Sequence, residues 1–205
     1  MSDHEHEHDH EHEHEHEHEH DEPLTDAEAR AEAERLVRKE VALAQIRQYG
    51  DPVLRMRADD VEAFDEELAR ITGRMVELMH DADGVGLAAT QIGIVRRFFV
   101  ATLDGEDRVL VNPVVTPVGD ETELDEEGCL SLGSIRVPIE RAVRVQVDAR
   151  DAAGEPVALS LEGIDARVVQ HELDHLDGVL LLDRTEAESR RDALSQLRPR
   201  LVLQP

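Results

Sequence analysis

The sequence predicts an α+β domain: short, mostly antiparallel strands packed around a central helix, with further helices at the N-terminal and C-terminal ends. Three observations point there. Capped helical patterns stand near both ends, a series of short alternating strands lies between them, and helices and strands do not alternate regularly as a βαβ fold requires. The central helix is the one carrying His171-Glu172-Leu173-Asp174-His175.

Thr25-Asp26-Ala27-Glu28 has the capping-box pattern, which predicts a helix from Asp26 to about Lys39 or slightly beyond. Asp51-Pro52 marks a turn. Leu68, Ile71, Met75, Leu78 and Met79 recur at helical spacing, so a second helix is expected from roughly Ala63 to His80 with its methionines in the core. His80 is read as a helix-end residue suited to the negative end of the dipole, not as a ligand. Strands are expected at Arg97 to Thr102, Arg108 to Val111, Val114 to Val118, Val143 to Val147 and Val157 to Leu161, with Ala153-Gly154-Glu155 as a hairpin turn. Helical character returns from Ile164 to Leu176, where Gly178 is the stop, and a last helix runs from Glu186 to Leu197.

The 205 residues fit one domain with appendages. From His4 to His20 every even-numbered residue is histidine and nearly every intervening one is acidic, so residues 1–22 are expected to be a disordered tail. Residues 23–45 form a helical extension, 46–185 the body of the domain and 186–205 a C-terminal helix and tail. Part of the net charge of -26 belongs to the tail, yet the remainder is also acidic, which argues against DNA as a partner. The single cysteine excludes an intrachain disulfide, and no long apolar span or secretory leader is legible, so a cytoplasmic location with no membrane partner is expected.

His171 and His175 are four residues apart, so on a helix both imidazoles reach one ion. Glu172, one step round, is placed to take a proton from water activated by that ion. A third ligand is needed. In the extended pattern His-Glu-x-x-His-x-x-Gly-x-x-His the last histidine is replaced by Leu181, and Glu186 or Glu188, the downstream carboxylates, lie in an acidic, exposed stretch. Cys129, in Glu127-Gly128-Cys129-Leu130-Ser131, is the chemically suitable alternative, with Gly128 allowing an unusual backbone angle or close approach beside it. A third segment, Gly84-Val85-Gly86-Leu87-Ala88-Ala89-Thr90-Gln91, lacks the lysine of a phosphate loop and better suits close approach of backbone to a peptide-like ligand.

These three segments, in this order, resemble the peptide deformylase family. Gly-x-Gly-Leu-Ala-Ala-x-Gln stands at Gly84 to Gln91, Glu-Gly-Cys-Leu-Ser at Glu127 to Ser131, and Gln-His-Glu-x-Asp-His at Gln170 to His175. The resemblance implies a hydrolase that removes the formyl group from the N-terminal formyl-methionine of newly made proteins and releases formate. It implies Cys129, His171 and His175 as ligands of one divalent metal ion, with iron(II) favoured over zinc, nickel or cobalt. It further implies Glu172 as general base and proton donor, the Gln91 amide and Leu130 backbone N–H as oxyanion donors, and Val85, Gly86 and Arg136 as substrate contacts. After Ser131 the family usually has an apolar residue and proline, whereas this chain has Leu132-Gly133-Ser134. Asp174 and Gln170 are expected to support the site without doing its chemistry.

The partners implied are N-formylmethionyl nascent peptides. Arg184, Arg190, Arg191, Arg198 and Arg200 make the C-terminal stretch locally basic, a feature that suits either a solvated helix face or docking on ribosomal RNA. The competing reading of the chain is a metal-handling protein that uses its histidine-rich tail.

Overall fold

A computed structural model describes residues 25–197. The histidine-rich tail, Arg198 and Arg200 lie outside the described residues.

Helix α1 (Asp26–Leu43) starts at the capping box: the Thr25 hydroxyl accepts from the Glu28 N–H, and Glu28 accepts from the Thr25 N–H. It outruns its expected end by about one turn. Helix α2 (Glu66–Asp81) begins three residues later than expected, because the Asp65 carboxylate accepts from the Leu68 N–H and fixes the cap there. His80 lies in the last turn of α2, as expected, and its Nε2 also pairs with the Asp107 carboxylate at 2.8 Å.

Strands β1 (Gly86–Ala88), β2 (Phe98–Leu103), β3 (Glu106–Pro117), β6 (Arg144–Arg150) and β7 (Pro156–Glu162) form one antiparallel sheet in the order β1-β2-β3-β6-β7. The two strands expected at 108–111 and 114–118 are one strand, β3, whose register shifts between Val111 and Val114. Asn112 makes the bend, with φ +51° and a side chain that bonds both the N–H and C=O of Val61. A second sheet, β4 (Thr122–Gly128) with β5 (Arg136–Ala142), was not legible as strand. Thr122-Glu-Leu-Asp-Glu-Glu-Gly is acidic and nearly all exposed, so it carries no apolar alternation.

Strand β2 explains the layering. Phe98 and Val100 point into a cluster with Leu68, Met75 and Met79 of α2, while Phe99, Ala101 and Leu103 point into a second cluster with Ala166, Val169 and Leu176 of α3 (Gly163–Leu176). Alternate side chains therefore serve opposite faces, and the strand reads as a continuous apolar run because helices cover both. Phe98 and Phe99 are fully buried, each contributing about 1.5–3 kcal/mol by removal from water. Short helix α4 (Leu181–Arg184) and α5 (Ala187–Leu197) pack on Val137 and Ile139 of β5 through Leu181, Leu182 and Ala193. Gly178 ends the α3 region at φ +72°, where a Cβ would lie 2.7 Å from the Arg55 carbonyl oxygen.

Candidate metal centre

Three elements converge. Helix α3 directs Ala166, Val169 and Leu176 to the sheet, so His171 and His175 fall on another face. The chain leaving β4 presents Cys129, and a 3-10 turn (Ala89–Ile92) after β1 presents Gln91. One ligand atom each from Cys129, His171 and His175 lies within 4.8 Å of the others. Cys129 Sγ is 3.2 Å from His175 Nε2, and the two imidazole rings stand 5.0 Å apart at 63°.

His171 Nδ1 faces the Glu127 carboxylate at 3.0 Å, which turns its other nitrogen toward the cysteine. Glu127 also accepts from Nε and Nη2 of Arg141, each at 3.0 Å, and from Arg167 Nη1 at 2.8 Å. Arg141 continues to Asp174 at 2.5 Å, and Asp174 in turn accepts from Arg184. Burial would push the Glu127 carboxyl up, but the His171 and Arg141 contacts outweigh it and hold the pKa at about 2. Gln170 bonds the Ala142 backbone through both ends of its amide, locking α3 to β5. Neither Arg141 nor Arg167 stands out in the sequence as part of a site. For Arg141 a signal existed: β5 alternates, and Val137, Ile139 and Arg141 share its buried face.

Glu172 is 4% exposed, and burial raises its pKa to about 7. Its Oε2 and the Nδ1 of His175 are buried without a hydrogen-bond partner among the described residues. Gly86 sits directly against the Glu172 carboxyl group, where an added Cβ would come within 2.8 Å of Cδ. The glycine-rich segment thus makes room for Glu172 as well as for a ligand. Gly128 has no such constraint: its φ is not positive, and a Cβ would meet nothing closer than 3.5 Å. The Gln91 carbonyl accepts from the Ala88 N–H at 2.8 Å, which turns its NH2 group toward Ser131 Oγ (3.1 Å) and Cys129 Sγ (3.6 Å). Gly133 adopts φ +65°, an angle closed to proline.

A cleft of about 720 Å³ opens over the cluster. Val85, Gly86, Gln91, Leu130, Arg136, Cys129, His171 and Glu172 all border it, while His175 lies beneath. Arg136 donates to the Glu126 carbonyl at 2.7 Å. The donor set suits a metal: a buried thiol and two imidazoles form the sulfur and nitrogen environment of a borderline divalent ion. Burial opposes ionisation of Cys129, but the adjacent histidines bring its pKa well below the ordinary thiol value, toward the thiolate that a ligand must be.

A family model described as polypeptide deformylase matches residues 43–191. A peptide deformylase of Thermotoga neapolitana is 50% identical over 146 residues, covering 71% of this chain and 89% of that protein. The crystal structure of peptide deformylase from Thermotoga maritima is similar with a TM-score of 0.67 at 50% identity, covering 69% of this chain and 96% of that one. A peptide deformylase from Synechococcus elongatus, in complex with actinonin, gives a TM-score of 0.71 at 39% identity over 74% and 84% of the two chains.

Proposed function

The chain belongs to the peptide deformylase family, and from that premise we propose which of its own residues carry the reaction. The enzyme is a metal-dependent hydrolase that removes the formyl group from the N-terminal formyl-methionine of newly synthesised proteins and releases formate. The observation that supports the assignment is the joint presence of Gln91 and Glu172 beside the Cys129, His171 and His175 cluster, since metal storage has no use for either.

Cys129, His171 and His175 would hold the ion, which when bound would supply Lewis acidity and bring the ionisation of water toward neutral pH. Glu172 takes the proton of the attacking water and returns it to the amine nitrogen as the C–N bond breaks. Its burial suits both roles, because desolvation raises its pKa above the ordinary carboxyl value, toward the range where a carboxyl accepts and gives a proton at modest cost. Gln91 Nε2 and the Leu130 backbone N–H hold the formyl oxygen as negative charge grows on it. β1 lies at the edge of its sheet, so the Val85–Gly86 backbone is placed to pair with an extended peptide, and Arg136 steadies that peptide across the cleft.

The donors accept iron(II), zinc, nickel or cobalt alike, and it is the resemblance to the family that favours iron(II) as the resident ion. Anaerobic purification followed by metal analysis and a formate-release assay on a formyl-Met peptide tests this; active protein containing only zinc would overturn the iron assignment. The catalytic body spans residues 46–185 and works in the cytoplasm; no helix among the described residues is long and apolar enough to cross a membrane. For ribosome docking the basic C-terminal stretch offers fewer arginines than its sequence suggests, since Arg184 pairs with Asp174 and Arg190 with Asp183. Among the described residues Arg191, exposed on α5, is the arginine of this stretch left for ribosomal RNA; Arg198 and Arg200 lie outside them. Loss of ribosome co-sedimentation on removing residues 186–205 is expected, and unchanged co-sedimentation would sink that docking.

A further inference from the structure

Helix α1 is poorly explained by packing. Nearly all of it is exposed, Ala42 is its one buried residue, and except for Leu43 it precedes the residues matched by the family model. Its position is nevertheless well defined. Arg35 and Lys39 both reach the Asp83 carboxylate, at 2.6 and 2.9 Å. Just past its C-terminal end, Arg47 N–H donates to the Gln91 carbonyl at 2.7 Å, Gln48 Nε2 to the Leu130 carbonyl at 3.1 Å, and Tyr49 N–H to the Ser131 carbonyl at 2.8 Å. The helix is thus tied to both turns that flank the metal cluster. Lys39 and Leu43 consequently border the same cleft as Cys129 and Glu172, beside Ala82, Asp83 and Gly84.

We infer that α1 is an additional wall of the substrate cleft, and that Leu43 and Lys39 are specificity-determining residues for apolar side chains following the formyl-methionine. This rests on the deformylase assignment of the cleft. Along the Val85–Gly86 edge, Gly86 faces Glu172, whereas Gly84, two residues away, faces Leu130: a Cβ there would come within 2.9 Å of Leu130 Cδ1. Leu43 and Leu130 both pack on the apolar cluster centred on α2. A peptide paired with this edge and holding its formyl carbon near Glu172 moves about 3.3 Å per residue, so its later residues come to the patch formed by Gly84, Leu130 and Leu43. The aliphatic stem of Lys39 extends that patch while its ammonium stays on Asp83.

The test compares kcat/KM of the full-length, metal-loaded enzyme on formyl-Met-Leu-Leu amide and formyl-Met-Gly-Gly amide. Wild type is expected to favour the leucine peptide by about tenfold, the scale of one apolar pocket contact. Leu43→Ala is expected to remove most of that preference, through a larger rise in KM on the leucine peptide than on the glycine peptide. Lys39→Ala, at a half-buried position on α1, is expected to weaken the preference in the same direction. Equal kcat/KM on both peptides in wild type, or an unchanged ratio in both folded variants, would overturn the wall. Absence of formate from both peptides would overturn the deformylase reading beneath it.

Discussion

Nδ1 of His171 lies 3.0 Å from Oε2 of Glu127, and this contact joins the metal cluster to a buried chain of charges running through Arg141 and Asp174 to Arg184. It fixes the imidazole orientation, and it keeps two buried guanidinium groups compensated. Glu127→Gln is therefore expected to weaken metal affinity by about 10- to 100-fold. Arg141 keeps Asp174, but leaving Arg167 without the Glu127 carboxylate is expected to destabilise the fold by about 3 kcal/mol. Metal competition titration and urea unfolding measure the two effects separately; a variant with wild-type affinity would remove Glu127 from the support of the site.

Gly86 is expected to tolerate no side chain. In Gly86→Ala the new methyl meets the Glu172 carboxyl group, so Glu172 must move or the edge strand must shift. Formate release should fall by about 10²-fold, the cost of a displacement near 1 Å at the reacting groups, while one equivalent of metal stays bound. Activity close to wild type would show that Glu172 has latitude that this packing denies it.

Gln91→Ala removes a donor whose orientation is set by the Ala88 N–H and whose amide group faces the cluster. A loss of about 10²–10³ in kcat is expected with KM little changed, as for an oxyanion donor in other hydrolases. Steady-state kinetics decide it. A rise in KM alone would make Gln91 a binding group.

Iron(II) next to a thiolate invites oxidation of both partners. Exposure to air is expected to inactivate the iron form faster than protein reconstituted with nickel or cobalt. Matched time courses of formate release check this, and equal loss in all forms would remove the redox explanation.

Much of this architecture is legible in the sequence. The capping box at Thr25, the helical spacing in α2 and the i, i+4 histidines report local geometry, which neighbouring residues dictate. β4 was not legible because its stabilisation comes from pairing with β5 and from one inward residue, Glu127, among exposed acids. The Glu127 network was hidden for a related reason: nothing in a stretch of acidic residues says which carboxylate meets arginines brought from β5 and α3. The place of Lys39 and Leu43 at the cleft depends on long-range ties that sequence periodicity does not record: Lys39 to Asp83 and, just past α1, Arg47 to Gln91 and Gln48 to Leu130.

Glu172→Ala tests the central claim most directly, with bound metal and formate release measured on the same samples of variant and wild type. Glu172 is next to a ligand and outside the ligand set, so the variant is expected to keep one equivalent of metal. Turnover should fall by about 10²–10⁴-fold or more. Wild-type rates of formate release from metal-loaded Glu172→Ala would contradict the mechanism at its core.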